Sequence, residues 1–403
     1  MKIGLFSDQY YPQVSGVVTS ITILYDELVK LGHECYIVTL TDTKGHEDSP
    51  YFKNYNVVNF NGKYYPFKAC KEYKFNWTHK KFLKQLKELN LDIIHINTEF
   101  DIAKTAKVAS KKLHIPVVYT VHTAWINYIC TLFPKLDKLF HPILVCMMRH
   151  MFTKPSYKMS EQIILPTKKM IPDLKPYGIK GTNYSIIPTG IDLNKFARTK
   201  YTEEEISNKK KELGLDNKFV YVYIGRTAKE KNIPTVIEAY AKAHKDNDKA
   251  RLLIVGGGPE LDNLKAEANK LEITDKVVFT GLIPFDDVPI YYHLGDVFVN
   301  ASKSETQGLT YIEALASGLP NLVQWDLCID DVIKDGYNGY IFNNMDEFVE
   351  KLKYSFENQN INDELKINAY NSSKEYSKEQ FATKILEVYE SAIKKYKEKR
   401  EKK

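Results

Sequence analysis

Two glutamates, Glu305 and Glu313, stand eight positions apart in the segment SETQGLTYIE (304–313). The first lies in a polar, glycine-containing loop, and the second lies about one turn into a helix that the pattern predicts from Leu309 to Ser317. At ~1.5 Å of rise per helical residue, and more in the loop, the carboxylates are predicted to lie on the order of 10 Å apart. The helix start between them offers backbone N–H groups, which favour phosphate. This spacing fits one elongated ligand, a nucleotide sugar, although two solvated glutamates on an amphipathic helix would show the same spacing.

Two cations follow another predicted strand, in the sequence GRTAKEKN (225–232). Arg226 and Lys231 would lie where this strand passes into a helix. When a sugar separates from a diphosphate, negative charge builds on the departing phosphate, and cations at that position lower the energy of the transition state. The pair therefore predicts the phosphate end of the same ligand, whereas the alternative is an ordinary basic loop.

Both segments resemble motifs of the retaining glycosyltransferases of family 4, and the resemblance covers nearly the whole chain. Within that family, SETQGLTYIEA (304–314) is most similar to bacterial enzymes that transfer glucose to diacylglycerol. The resemblance implies the GT-B fold, an α/β architecture of two Rossmann-like domains that face each other across a cleft, with a C-terminal helix that crosses back to the first domain. It implies a hexosyltransferase that moves glucose from UDP-glucose to the 3-hydroxyl of 1,2-diacylglycerol. A soluble sugar, a polysaccharide precursor or another lipid stays open as the acceptor, and galactose stays open as the sugar.

The resemblance also implies roles for individual residues. His122, at the end of a predicted strand, would hold the donor sugar and stabilise positive charge on it, while Glu305 would bind sugar hydroxyls and Glu313 the ribose. The implied catalytic residues are His122, Glu305, Arg226 and Lys231, and the implied donor-binding residues are Gly16, Val17, Arg226, Lys231, Asn300, Gly308, Leu309, Thr310 and Glu313. Because the two cations stabilise the leaving group, no metal or other cofactor is expected. The string DND (246–248) is accordingly interpreted as a surface turn and not as a Mn²⁺ site.

Alternating strand and helix patterns run through both halves of the chain and predict parallel sheets covered by helices. The predicted strands are Lys2–Ser7, Cys35–Thr39, Asp92–Ile96, Pro116–Thr120, Gln162–Leu165, Phe219–Ile224, Arg251–Val255, Lys276–Phe279 and Val297–Val299. We expect an acceptor-binding and membrane-binding domain at residues 1–188, a nucleotide-sugar-binding domain at 189–376, and a C-terminal helix with a basic tail at 377–403. At 403 residues and 43% hydrophobic content, the chain is large enough for two such domains.

No targeting or membrane-spanning segment is predicted. The first apolar run ends at Ser7 and Asp8, and no apolar run approaches the ~20 residues that a membrane-spanning helix needs. The five cysteines are scattered and form no C-x-x-C pair, which indicates reduced thiols without a metal site. We therefore expect a cytoplasmic protein that is peripheral on the inner face of the cell membrane, with its oligomeric state left open.

Charge is distributed unevenly along the chain. The net charge is +6 overall, whereas residues 1–190 alone hold 25 Lys and Arg against 15 Asp and Glu. A basic first domain indicates a polyanionic partner, either nucleic acid or an anionic membrane surface. No helix-turn-helix, RNA-binding or zinc-finger signature accompanies this charge, so we expect the membrane and no nucleic acid. Activation of the enzyme by anionic lipid stays open.

One basic segment, Lys53 to Asn90, is the main candidate for membrane contact. In a helix, Phe75, Phe82, Leu86 and Leu89 would share an apolar face and lysines would line another, as in helices that lie in a membrane interface. A helix that packs on its own sheet would show the same pattern. The predicted acceptor or membrane contacts are Trp77, Lys80, Lys81, Lys84, Lys87, Glu99 and Arg149. A second basic and apolar segment, 139–152, supports the membrane interpretation. The third hypothesis is a peripheral membrane protein that mainly packs or bends lipid and whose catalysis is slow or lost.

Overall fold

The structure, a computed structural model, describes residues 1–13, 15–41, 45–46, 48–60, 62–64, 74–75, 82–122, 141–147, 150, 154–177 and 183–402. The chain forms two compact units. Met1–Gly190 together with Lys378–Lys403 form the first unit, and Ile191–Ser377 form the second. The C-terminal segment therefore belongs to the first unit.

Within the described residues of the first unit, seven strands form one parallel sheet in the order β3-β2-β1-β6-β7-β8-β9. The strands of this unit are β1 (Lys2–Ser7), β2 (Glu34–Thr39), β3 (Val57–Asn59), β4 (Lys63–Tyr64), β5 (Lys74–Phe75), β6 (Ile93–Ile96), β7 (Val117–Thr120), β8 (Gln162–Leu165) and β9 (Tyr184–Ile186). β4 and β5 lie outside the large sheet as a short antiparallel pair. The sheet is buried on both faces, because Ile3 and Leu5 enter one hydrophobic core while Phe6 enters another.

Helices cover both faces of this sheet. Helix Gly16–Lys30 contributes to one core, and helix Asp101–Leu113 contributes to the other. The α-helices described in this part of the chain are Gly16–Lys30, Pro50–Lys53, Leu83–Glu88, Asp101–Leu113, 141–147 and Lys154–Met159, and a 3₁₀ helix spans Lys168–Tyr177. Ser15 caps the first of these helices, since its hydroxyl accepts a hydrogen bond from Val18 N.

One residue of the predicted helical face in the basic segment lies in a strand. Phe75 is part of β5, and the α-helix described in this segment spans Leu83–Glu88. Leu86 is buried, and Phe82 and Leu89 pack against the same core. The prediction of an apolar helical face that enters the membrane is therefore wrong for these residues, because that face packs on the protein's own sheet.

Every residue of the second unit is described, and six strands form its parallel sheet in the order β12-β11-β10-β13-β14-β15. The strands are β10 (Phe219–Ile224), β11 (Ala250–Val255), β12 (Val277–Gly281), β13 (Val297–Asn300), β14 (Asn321–Gln324) and β15 (Gly339–Phe342). The α-helices are Leu193–Phe196, Glu203–Glu212, Ile233–His244, Leu261–Lys270, Val288–Tyr292, Leu309–Ala316, Met345–Glu357 and Gln359–Ser373. Adjacent residues of β10 enter different cores, with Tyr221 in one and Val222 in the other.

The C-terminal helix, Lys378–Glu401, packs on the first unit. Phe381, Ile385 and Tyr389 join the core that contains Ile3. None of the helices in the described part of the chain is both long enough and apolar enough to cross a membrane. The predicted α/β class and the return of the C-terminal helix to the first domain are confirmed.

Candidate functional site

Two neighbouring strands of the second unit deliver the predicted phosphate-binding and sugar-binding loops. The loop with Arg226 and Lys231 follows β10, and the loop with Glu305 follows β13. β10 and β13 pair in parallel, so both loops leave from the same edge of the sheet. The fold therefore brings together side chains that are distant in the sequence.

Lys231 and Glu305 form an ion pair. Lys231 Nζ lies 2.7 Å from Glu305 Oε1, and the two side chains are 24% and 13% exposed. Limited exposure strengthens this contact, because little water screens it. The pair fixes a carboxylate beside a cation, an arrangement that can hold sugar hydroxyls next to a departing phosphate.

Hydrogen bonds to main-chain carbonyls tie the two loops together. The Ser304 hydroxyl donates to the Glu230 carbonyl at 2.9 Å, and Asn232 Nδ2 donates to the Ala301 carbonyl at 3.2 Å. Asn300 is buried, and its Oδ1 accepts a 2.8 Å hydrogen bond from the backbone N–H two residues later. Asn300 thus shapes the loop that carries Glu305, and its direct contact with a donor stays a prediction.

Arg226 is more open than Lys231. Its guanidinium pairs with the Glu230 carboxylate, and the two side chains are 66% and 43% exposed. Buried Tyr223 donates a 3.3 Å hydrogen bond to the Arg226 carbonyl. Burial, with Glu305 and Glu230 nearby, raises the pKa of Tyr223, so its hydroxyl stays protonated. Two carboxylates, those of Glu305 and Glu230, and the Arg226 guanidinium thus lie near one neutral hydroxyl.

The glycine turn GGG (256–258) supports the Arg226 loop from the neighbouring strand. Thr227 N donates a 3.0 Å hydrogen bond to the Gly257 carbonyl. At Gly256, φ is +129° and an added Cβ would lie 2.1 Å from Gly225 O, an approach that only glycine allows. These contacts give the turn a structural role beside the Arg226 loop.

Glu313 lies in the helix Leu309–Ala316. The Tyr292 hydroxyl donates a 2.6 Å hydrogen bond to Glu313 Oε2. Burial raises the pKa of Glu313, and the Tyr292 bond and the Lys195 charge oppose part of that rise. Tyr292 thereby orients the carboxylate, and a carboxylate held through one oxygen can accept hydrogen bonds from a diol through the other.

Gly308 begins this helix. Its φ is +72°, and an added Cβ would lie 2.4 Å from the Tyr311 ring, so a larger residue would be strained and would clash. Leu309 and Thr310 form the first turn, where backbone N–H groups have no acceptor within the helix. Phosphate contact by Gly308, Leu309 and Thr310 stays a prediction that this local geometry supports.

In the first unit, His122 follows β7 and is half-buried. Its Nε2 lies 3.2 Å from Asn97 Oδ1. Because an amide oxygen only accepts hydrogen bonds, Nε2 carries the proton. Burial lowers the pKa of His122 to about 4, so the ring is neutral at physiological pH. Any stabilisation of positive charge by His122 would then come from its dipole and its hydrogen bonds.

Glu99 and Gly16 are two other predicted site residues of the first unit. Glu99 follows β6, is buried, and accepts a hydrogen bond from the Tyr119 hydroxyl. Contact between Glu99 and an acceptor stays a prediction. The hydrogen bond from Tyr119 also gives Glu99 a structural role. Gly16 is the exposed first residue of its helix, and Val17 packs partly against a core.

The predicted membrane contacts are described only in part. Lys84 and Lys87 are exposed on helix Leu83–Glu88. Trp77, Lys80, Lys81 and Arg149 lie outside the described residues. Within the described ranges, no group of three or more His, Cys, Asp or Glu side chains gathers as a metal site. The string DND (246–248) lies in a turn where Asp248 pairs with Lys276.

Sequence reasoning missed residues that organise the site. Tyr223 and Tyr292 lie in apolar runs and are indistinguishable there from ordinary core residues. The Ser302 hydroxyl lies 3.5 Å from the Glu230 carbonyl oxygen, and no spacing pattern in the sequence indicates this contact. Glu230 could have been predicted from the sequence as a partner of Arg226, because it lies four residues after Arg226 and has the opposite charge.

Known protein families and individual relatives match this chain. The family described as "Glycosyltransferase Family 4" matches residues 14–195, and "Glycosyl transferases group 1" matches residues 205–372. The chain is 35% identical to the alpha-monoglucosyldiacylglycerol synthase of Acholeplasma laidlawii, with 100% of each chain covered. It is 36% identical to the synthase of the same name from Streptococcus pneumoniae, over 85% of this chain and 75% of that one.

Solved structures show the same architecture. The crystal structure of Anabaena Alr3699/HepE in complex with UDP and glucose superposes with a TM-score of 0.74 at 17% identity, covering 97% of this chain and 100% of that chain. This likeness shows the fold, and the full-length sequence similarity shows the family. The chain belongs to glycosyltransferase family 4 and has the GT-B fold.

Proposed function

We propose that this glycosyltransferase moves glucose from UDP-glucose to the 3-hydroxyl of a 1,2-diacylglycerol, with retention of configuration, at the inner face of the cell membrane. The ion pair between Lys231 and Glu305 carries the donor half of the proposal, because it sets a sugar-binding carboxylate beside a phosphate-binding cation. The similarity to two alpha-monoglucosyldiacylglycerol synthases supports the acceptor half.

The sugar, the ribose and the diphosphate of the proposed donor each have a counterpart in the second unit. Glu305 accepts hydrogen bonds from glucose hydroxyls, and Glu313, oriented by Tyr292, accepts them from the ribose. Arg226 and Lys231 bind the diphosphate together with the helix start at Gly308. The choice of uridine rests on the resemblance of the 304–314 segment to its family.

In the proposed reaction, the bond between glucose C1 and the β-phosphate oxygen breaks while the acceptor 3-hydroxyl oxygen bonds to C1. The acceptor proton passes to the leaving phosphate, and the products are UDP and a glucosyldiacylglycerol. Arg226 and Lys231 stabilise the charge that builds on the phosphate. Because His122 is neutral, it holds the donor sugar through hydrogen bonds and does not act as a charged acid.

Two surfaces of the first unit support contact with lipid. In the helical segment 141–147, Ile143 is 64% exposed and Met147 is 44% exposed. Residues four apart share one helix face, so these apolar side chains are open to the same neighbour. Lys84 and Lys87 add exposed positive charge that attracts anionic lipid.

The proposal is tested by offering several donors and acceptors to the purified protein. UDP-glucose, UDP-galactose and GDP-mannose are each incubated with vesicles that contain anionic lipid, with and without dioleoylglycerol, and separately with soluble sugars. Mass spectrometry of the products is expected to find a hexosyl-diacylglycerol that requires both UDP-glucose and dioleoylglycerol. Transfer to soluble sugars at the same rate without vesicles would contradict the acceptor, and preference for another nucleotide sugar would contradict the donor.

A further inference from the structure

Glu230 is a charged residue in the phosphate-binding loop that the proposed chemistry does not use. Its carboxylate pairs with the Arg226 guanidinium. Its main chain is fixed separately, because the Glu230 carbonyl accepts the Ser304 hydroxyl at 2.9 Å. The backbone is therefore tied to the Glu305 loop, while the side chain is 43% exposed and reaches Arg226 near the surface.

The Glu230 carboxylate and a diphosphate offer the same chemistry to Arg226. Both present anionic oxygens to a guanidinium, and such charge-assisted hydrogen bonds are alike in geometry. A phosphate that binds Arg226 must displace this carboxylate and is also repelled by it. Lys231 differs, because its partner Glu305 has a separate proposed task at the sugar.

The shape of the loop does not depend on the Glu230 carboxylate. The hydrogen bonds from Ser304 and Asn232 to main-chain carbonyls already hold it. An ion pair as exposed as the one between Arg226 and Glu230 contributes little to folding. A role in stability alone therefore leaves the position of this negative charge unexplained.

We propose that Glu230 competes with the donor diphosphate for Arg226, and so weakens the binding of nucleoside diphosphates enough for the product to leave. This inference rests on the proposed function, in which Arg226 binds the diphosphate. It makes Glu230 a residue that sets affinity at the phosphate end of the site.

The chain offers a matched control for this idea. Glu238 pairs with Lys242 at 2.8 Å, also four residues apart, with side chains 45% and 51% exposed. This pair lies on helix Ile233–His244 in the same unit, and Glu238→Gln removes the same charge as Glu230→Gln. Only Glu230 pairs with Arg226, so only its substitution is expected to alter phosphate binding.

Isothermal titration with UDP, inorganic pyrophosphate and uridine separates the contributions. In E230Q, the Kd values for UDP and pyrophosphate are expected to fall about threefold to tenfold at low salt, because a competing and repelling charge is gone. E238Q is expected to stay near wild type, and uridine to bind all three proteins alike. High salt is expected to shrink the difference. The KM for UDP-glucose is expected to fall in E230Q without a rise in kcat.

Each possible result either supports or overturns the inference about Glu230. Equal or weaker binding of UDP and pyrophosphate by E230Q overturns the inference, and so does an equal gain in E238Q. Because pyrophosphate carries no base or sugar, it tests Glu230 whichever nucleotide the enzyme uses. A different outcome separates the two proposals. If the wild-type protein does not bind UDP but E230Q binds pyrophosphate more tightly than wild type does, the donor assignment is contradicted and the role of Glu230 is supported.

Discussion

At the residue scale, the ion pair between Lys231 and Glu305 is a feature of local structure, and we propose that both residues also act in the chemistry. Each side chain compensates for the charge of the other in a place where little water reaches them. Removing one therefore takes the neighbouring opposite charge away from the other, which is mostly buried. A variant of either residue should lose activity, and its folding has to be measured beside the rate.

Lys231→Ala and Glu305→Gln are each expected to lower turnover about 100-fold or more, because each removes a group that acts as the donor bond breaks. The control is Lys242→Ala, which removes an exposed lysine of the same unit and should keep near-wild-type activity. Initial rates with UDP-glucose and diacylglycerol vesicles, with thermal unfolding alongside, measure the effect. A folded K231A or E305Q with ordinary turnover would remove that residue from the mechanism.

Asp8 is a buried carboxyl group that links two loops of the first unit. Its Oδ1 accepts a 2.9 Å hydrogen bond from Ile102 N, and its Oδ2 accepts a 2.6 Å bond from the Thr98 hydroxyl. Burial raises the pKa of Asp8 to about 6, although both hydrogen bonds oppose the rise and the charge of Asp101 adds to it. This single group should therefore make stability depend on pH.

The sign follows from the protons bound in each state. The folded-state pKa of Asp8, about 6, exceeds the unfolded value of 3.8, so the folded protein binds more protons between these values. Its contribution is complete below the unfolded pKa and is lost as the pH rises through the folded pKa. From about pH 4 to about pH 7, the free energy of unfolding should fall by on the order of 2 kcal/mol relative to Asp8→Asn. Chemical denaturation across this range measures the difference, and a constant difference would show that Asp8 does not titrate as stated.

The site residues that the sequence proposes carry recognisable local spacing. Glu305, Glu313, Arg226 and Lys231 stand in segments whose order of residues resembles a family motif. Tyr292 could not be found this way, because it meets Glu313 only after the fold brings two helices together. Side-chain partnerships between distant segments depend on packing, which spacing along the chain does not record.

At the scale of elements, the start of helix Leu309–Ala316 is a tightly constrained feature of the site. Gly308 combines a left-handed backbone with a close approach to the Tyr311 ring. Gly214 is also left-handed, with φ of +66°, but an added Cβ there would meet nothing within 4 Å. Comparing substitutions at the two glycines therefore separates the effect of backbone strain from the effect of a steric clash.

Gly308→Ala is expected to destabilise the protein by about 2 kcal/mol or more, because strain and the clash with Tyr311 add together. Gly214→Ala should cost only about 1 kcal/mol, from backbone strain alone. Thermal unfolding measures both, and UDP titration should show weaker binding only for G308A. Equal losses in the two variants would mean that the Tyr311 contact has no influence.

Elements with long apolar runs were predictable, and short ones were not. β1, β8 and β10 have the predicted bounds, because four to six buried residues in a row leave few alternatives. β14 and β15 were missed, since they begin with Asn321 and Gly339, and both residue types are depleted in strands. The apolar stripe that included Phe75 was misassigned because a short strand pair and a short helix together imitate one longer helix.

At the scale of the whole molecule, charge distinguishes the two halves of the chain. Residues 1–190 hold ten more basic than acidic side chains, with 25 against 15, although the whole chain has a net charge of only +6. Exposed Lys84 and Lys87 contribute to this excess in the first unit. We expect such a surface to attract anionic lipid, and the attraction should weaken as salt screens it.

Replacing Lys84 and Lys87 together by Ser is expected to weaken binding to anionic vesicles about tenfold or more at low salt, since each lysine near the surface contributes about 1 kcal/mol. Lys111 and Lys112, exposed at the end of another helix of the same unit, supply the matched control. Co-sedimentation with vesicles at two salt concentrations measures the effect. An equal loss in both double variants would assign the attraction to net charge and not to this helix.

The most direct test of the central claim is the NMR spectrum of the lipid product formed from UDP-glucose and dioleoylglycerol. It reports the sugar, the glycerol carbon to which it is attached and the anomeric configuration in one measurement. The account predicts a single α-linked glucose on the 3-position of diacylglycerol. A β-linked product, another hexose or attachment elsewhere would contradict the account.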